Sequence, residues 1–149
     1  MLYFPLVLTY HSLNISAPGD TYSTNDHVAL ESDLQSIERL GFKVISIHQL
    51  VQLFIKGDWR ALTKQRLVAI TFDDGANLDY FNYDHPLLPN KPVSSFKNIL
   101  SRYQHLRLDK NVAYAMATSF VIVSPQARGE LDKVCMLGQN EWQETWWQD

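Results

Sequence analysis

The sequence predicts an α/β fold in which parallel strands alternate with helical crossovers, as an open sheet or a barrel. Three observations carry this. Short apolar runs alternate with stripes of helical spacing in the order strand, helix, repeated four times, and that order favours parallel pairing. The run Leu67-Val68-Ala69-Ile70 is apolar and rich in β-branched residues, as a buried strand should be. Thr71-Phe72-Asp73-Asp74-Gly75 follows it, placing two carboxylates and a glycine at the strand end where α/β folds build ligand sites.

The elements follow in order. Leu6 to Tyr10 reads as the first strand, followed by a polar loop through Asn14, Pro18, Gly19 and Asp20. A helix starts near Thr24 or Asn25, with Asp26 and Glu31 in early turns that suit its dipole. Its inner stripe is Leu30, Leu34 and Ile37, and Gly41 stops it. Lys43 to Ser46 is a short strand. Ser46 and Gln49 stand at capping-box spacing and open a helix through Leu50, Val51, Phe54 and Ile55, ended by Gly57. The aspartate strand comes next, and Ala76 to Pro92 reads as a long polar and aromatic loop. A helix then runs from Ser94 or Ser95 through Phe96, Ile99, Leu100 and Tyr103. Ala117 to Val123 is the last strand, and Ser124-Pro125 caps and opens a helix through Leu131 and Val134.

A chain of 149 residues is long enough for one domain that buries roughly two-thirds of its unfolded surface. The net charge of −3 argues against a nucleic-acid partner, which would want a basic face. The single cysteine, Cys135, rules out an internal disulfide and a cysteine-built zinc site, and reads as a small buried apolar residue. No apolar run approaches the roughly 20 residues of a membrane span. The start, Met1 to Leu8, lacks a basic n-region and a cleavage site, so it reads as strand rather than signal peptide. As it stands the chain reads as cytoplasmic, or as beginning after a lost leader.

Adjacent aspartates are costly unless a cation or a shared proton uses the charge, so Asp73 and Asp74 point to a metal site. A tight Asp-Gly reversal is the plainer alternative. A hairpin would need a second strand straight after the turn, whereas a long loop follows, bearing Asn77, Asp79, Asn82 and Asp84. Tyr80, Phe81 and Tyr83 in that loop are candidates to stack on sugar rings or to anchor the loop.

These residues resemble a family. Thr71-Phe72-Asp73-Asp74-Gly75 resembles the first signature motif of the polysaccharide deacetylases, the NodB-homology group of carbohydrate esterases. Leu8-Thr9-Tyr10-His11-Ser12 resembles the family's first-strand segment. Leu40-Gly41-Phe42-Lys43-Val44-Ile45-Ser46 with Leu50-Val51 resembles its helix, Gly-Phe, strand, helix passage, and Ala117-Thr118-Ser119-Phe120-Val121-Ile122 its next strand. The segments keep family order. The resemblance implies a distorted (β/α) barrel and metal-dependent hydrolysis of N-acetyl or O-acetyl groups on an acetylated polysaccharide or oligosaccharide. It makes Asp74 a ligand of a divalent metal, usually zinc, and Asp73 the general base. Gly75 lets the backbone pass close to metal and substrate. His11 and Tyr80 join them as candidates to line the substrate site.

The family's second motif, His-Ser/Thr-x-x-His, supplies two further ligands after the Ala117 strand. Here histidines stand only at 11, 27, 48, 85 and 105. His85 is a weaker candidate for the site, and His27, His48 and His105 read as surface or capping residues. The expectation is therefore the N-terminal part of a deacetylase domain, cut before its second motif, with weak or no metal binding of its own. Unpaired barrel edges would then favour self-association. Two alternatives stand beside it. One is a catalytically incomplete relic that only binds carbohydrate. The other is a receiver-type phosphoacceptor domain, which wants its acidic pair after the first strand, where this chain has Tyr10-His11. The three tryptophans Trp142, Trp146 and Trp147 read as core or loop packing of a longer fold, and Arg128, a cation in a first helical turn, as the mark of a partner.

Overall fold

A computed structural model describes residues 2–12, 21–23, 25–82, 92–108 and 116–136, the last six as backbone. Asp84, His85, Tyr83, Asn14, Pro18, Gly19, Asp20, Thr24, the C-terminal tryptophans and the side chains of Leu131, Val134 and Cys135 lie outside the described residues. The fold is α/β with a parallel sheet. In chain order come β1 (Leu6–Tyr10), α1 (Asp26–Arg39), β2 (Lys43–Ile45), α2 (Ile47–Ile55), α3 (Trp59–Lys64), β3 (Leu67–Phe72), α4 (Asn77–Tyr80), α5 (Phe96–Arg102), β4 (Thr118–Ser119) and α6 (Pro125–Met136).

β3 is the centre of the sheet. β1 pairs along it from Leu6 opposite Val68 to Tyr10 opposite Phe72. β2 pairs with its first half, Lys43 to Ile45 opposite Leu67 to Ala69, and β4 with Thr71 and Phe72. All three pairings are parallel. Because β1 occupies one edge, β2 and β4 share the other. The path from β1 to β2 passes beyond β3, and the path from β2 to β3 turns back. Right-handed crossovers in opposite directions put their helices on opposite faces of a sheet. The side chains obey this. Val44, Val68, Ile70 and Phe72 face Leu30, Leu34 and Ile37 of α1 and Phe96 and Ile99 of α5. Ile45, Leu67 and Ala69 face Leu50 of α2 and Leu62 of α3. Period-two alternation along β3 thus feeds two cores, and all six of its residues are buried.

The helix ends are fixed by the chemistry read from the sequence. Asn25 caps α1 by accepting from the His27 and Val28 N–H groups. Ser46 and Gln49 form a reciprocal capping box on α2, and Ser95 accepts from Asn98 N–H on α5. Gly41 takes a φ of +70° just past α1.

Four expectations change. The strand expected over Ala117 to Val123 shrinks to β4, although Phe120 N–H and Ile122 N–H still bond to Phe72 O and Asp74 O. Asp58 caps a helix, α3, that the local pattern did not announce. The expected loop after Gly75 opens with a helical turn, α4. His27 is neither a surface nor a merely capping residue. It is buried, stacked on Phe96 with centroids 4.0 Å apart, and Phe96 is stacked on Phe72 at 4.4 Å. His48 and His105 are exposed, the latter paired with Glu38 at 2.8 Å. Arg128 donates to Ile122 O, tying α6 to the segment after β4. Leu6 and Val7 on β1, and Phe120, Val121 and Val123 in the segment after β4, remain exposed apolar residues. Among the described residues no helix is long and apolar enough to cross a membrane.

Candidate functional site

In parallel α/β sheets ligand sites are built at the carboxyl ends of the strands, where the loops that follow can vary. Asp73, Asp74 and Gly75 sit there. Asp73 N–H donates to Tyr10 O at 3.1 Å, extending the β1–β3 ladder by one bond. The chain then turns sharply. Gly75 N–H donates to Asp73 O at 3.0 Å across Asp74, whose φ is +76°. A three-residue turn with a positive central φ is rare and strained, and only a few residue types tolerate it. Gly75 follows with a φ of +78°, and a Cβ there would lie 2.7 Å from Val121 Cγ1. Strained backbone of this sort concentrates at functional sites.

The same ladder sets His11 beside the aspartates. Its Nε2 lies 3.4 Å from Asp73 Oδ2, with both side chains partly exposed. The His11 backbone N–H donates to Asp26 Oδ2 at 2.6 Å, so the first turn of α1 holds the end of β1. Ser12, fully enclosed, donates its hydroxyl to Asp79 Oδ1. Asp79 Oδ2 is buried with no hydrogen-bond partner. Burial first, and then the neighbouring charge of Asp74, push the Asp79 carboxyl up to about 6, against the pull of Ser12 and His11. Sequence reading placed Asp79 in a loop and gave it no role. The short α4, held by buried Ala76 and Leu78, is what turns it inward.

Of the five residues singled out in the sequence, the structure brings Asp73, Asp74, Gly75 and His11 to one strand edge. Tyr80 stands further along α4, exposed, with Lys97 Nζ 3.6 Å above its ring. Between α4, α5 and the segment 116–121 lies a cleft of about 480 Å³, walled by Phe72, Leu100, Met116 and Val121 and edged by Asp79, Tyr80 and Lys97.

A catalytic zinc centre generally takes three protein ligands and a water. Among the described residues no three of His, Cys, Asp and Glu converge in a way that could hold a metal ion. The described residues therefore do not fit a zinc ion by themselves. No family model, curated protein or solved structure matches the chain.

Proposed function

We propose that the chain carries the carboxylate part of a hydrolytic site for acyl groups on carbohydrate, of the polysaccharide deacetylase kind in a NodB-type barrel. The observation that carries this reading is the pairing of Asp73 with His11 at adjoining strand ends, next to the strained turn at Asp74. A partly exposed carboxylate at a rigid strand end is placed to take a proton from an attacking water, and contacts of this length tighten when substrate arrives. His11 orients Asp73 Oδ2 and, when protonated, balances its charge. Asp74 is the metal-ligand candidate. A divalent ion, zinc by resemblance, would need ligands beyond those that converge here, so no step is assigned to it.

A second reading, carbohydrate binding without hydrolysis, is favoured by the exposed Tyr80 and Phe81 rings, packed edge to face at 5.1 Å. Aromatic faces of this kind stack on sugars.

The test is acetate release from acetylated chito-oligosaccharide and acetylated xylan, with and without added zinc, by the protein expressed from its own gene. The hydrolytic reading expects release that falls about a hundredfold or more in Asp73→Asn, the scale of a lost general base. Binding without release, insensitive to Asp73→Asn and lost in Tyr80→Ala, selects the second reading. Neither release nor binding overturns both.

A further inference from the structure

The cleft beside the aspartates is far larger than an acetyl group requires. Its volume of about 480 Å³ has room for roughly sixteen water-sized groups at about 30 Å³ each. An acetyl group has three heavy atoms. The walls are also wrong for a sugar hydroxyl face: Phe72, Leu100, Met116, Ala117 and Val121 present carbon. A small-molecule site of this type is an apolar hollow with a few placed polar groups. Here a placed group is Lys97. Its ammonium is held over the Tyr80 ring at 3.6 Å, and among the described residues no carboxylate pairs with it. A cation held at the edge of a carbon-walled cleft complements a chain with one oxygen-bearing, negatively polarised end.

We propose that this cleft takes a medium-chain acyl group, with the alkyl part against Phe72, Leu100, Met116 and Val121 and the carbonyl or carboxylate oxygen toward Lys97. Gly75 and Ala76, at the mouth of the strained turn, also line the cleft. The cleft therefore reaches the strained turn that carries Asp74. The assignment deepens the hydrolytic reading by naming the acyl class. It rests on that reading for the reaction, but not for the binding.

The experiment is calorimetric titration of the protein with octanoate and with acetate. Each buried methylene is worth about fourfold in affinity, so octanoate is expected to bind at least about tenfold more tightly than acetate even if only part of the chain is enclosed. Lys97→Met, at an exposed position, should weaken octanoate at least about fivefold, since its charged partner is lost. Gln104→Trp, also from an exposed cleft position, should block binding while leaving the melting temperature unchanged. Equal affinity for the two carboxylates overturns the proposal, as does octanoate binding that neither variant alters. Octanoate bound as expected by a protein that hydrolyses no acyl ester or amide leaves the acyl site standing and removes the hydrolytic reading. Acetate release by a protein that ignores octanoate does the reverse.

Discussion

The strand β3 and the turn at its end, Asp73 to Gly75, are continuous in the chain and have opposite physical characters. From Leu67 to Ile70 every side chain is fully enclosed, β1 or β2 lies on each edge, and helices cover both faces. From Asp73 onward the strand has ended, the backbone takes two successive positive φ values at Asp74 and Gly75, and carboxylates emerge half-exposed. The strand holds the fold together. The turn keeps strain and charge. The contrast teaches that a fully enclosed strand and a strained, charged turn can be direct neighbours in the chain, provided the boundary between them is sharp.

That boundary can be tested from both sides. The largest effect is expected in the body of the strand, where Ile70→Ala should cost about 2–5 kcal/mol by chemical denaturation, the range for truncating an enclosed core residue. A cost below about 1 kcal/mol would mean that β3 does not anchor the sheet.

Beneath and beside the strand tip, two buried groups should respond to pH with opposite sign. Burial lowers the His27 imidazole to about 4, while Ser94 O, accepting from Nδ1 at 2.7 Å, and Asp26 partly oppose it. Its stabilising contribution is present above the ordinary histidine value and is lost as pH falls from about 6.5 toward 4, by up to about 3 kcal/mol. Asp79 is raised instead. Its contribution is present below about 4 and is lost as pH rises through about 6, by about 1–2 kcal/mol after allowance for solvent screening. Denaturation at pH 5 and pH 7 should therefore show His27→Gln removing the acid-side loss. Asp79→Asn should raise stability at pH 7 and make the acid-side loss steeper. The same slope in all three proteins would refute the assignment.

The last effect belongs to the turn. Gly75→Ala should cost about 1–3 kcal/mol from its positive φ and its clash with Val121. Adding Val121→Ala should return only the steric part, which a pair of thermal melts would separate.

Much of this was legible in the sequence. The apolar runs placed β1 and β3, and local side-chain chemistry at Asn25, Ser46, Gln49 and Ser95 placed three helix starts, because capping acts within four residues. The aspartates and His11 were legible as candidates for the same reason: they follow strands. Pairing order was not, since nothing local in Leu6 to Tyr10 says that its neighbour is β3 rather than β2. His27 was misread although it lies three residues before Leu30, on the stripe that continues through Leu34 and Ile37. The spacing carried the signal, and the polar side chain hid it. Asp79 was missed because a four-residue helix leaves almost no periodicity to read.

The bond from His11 N–H to Asp26 Oδ2 separates two kinds of motion at one residue. The amide proton is sequestered by the first turn of α1, whereas the imidazole is partly exposed beside Asp73. Hydrogen exchange at that amide therefore reports detachment of α1 from the end of β1, and the ring resonances report what occupies the rim. A ligand that shifts the ring signals while leaving the exchange rate alone has entered without loosening the scaffold. One that accelerates exchange has prised the helix from the strand.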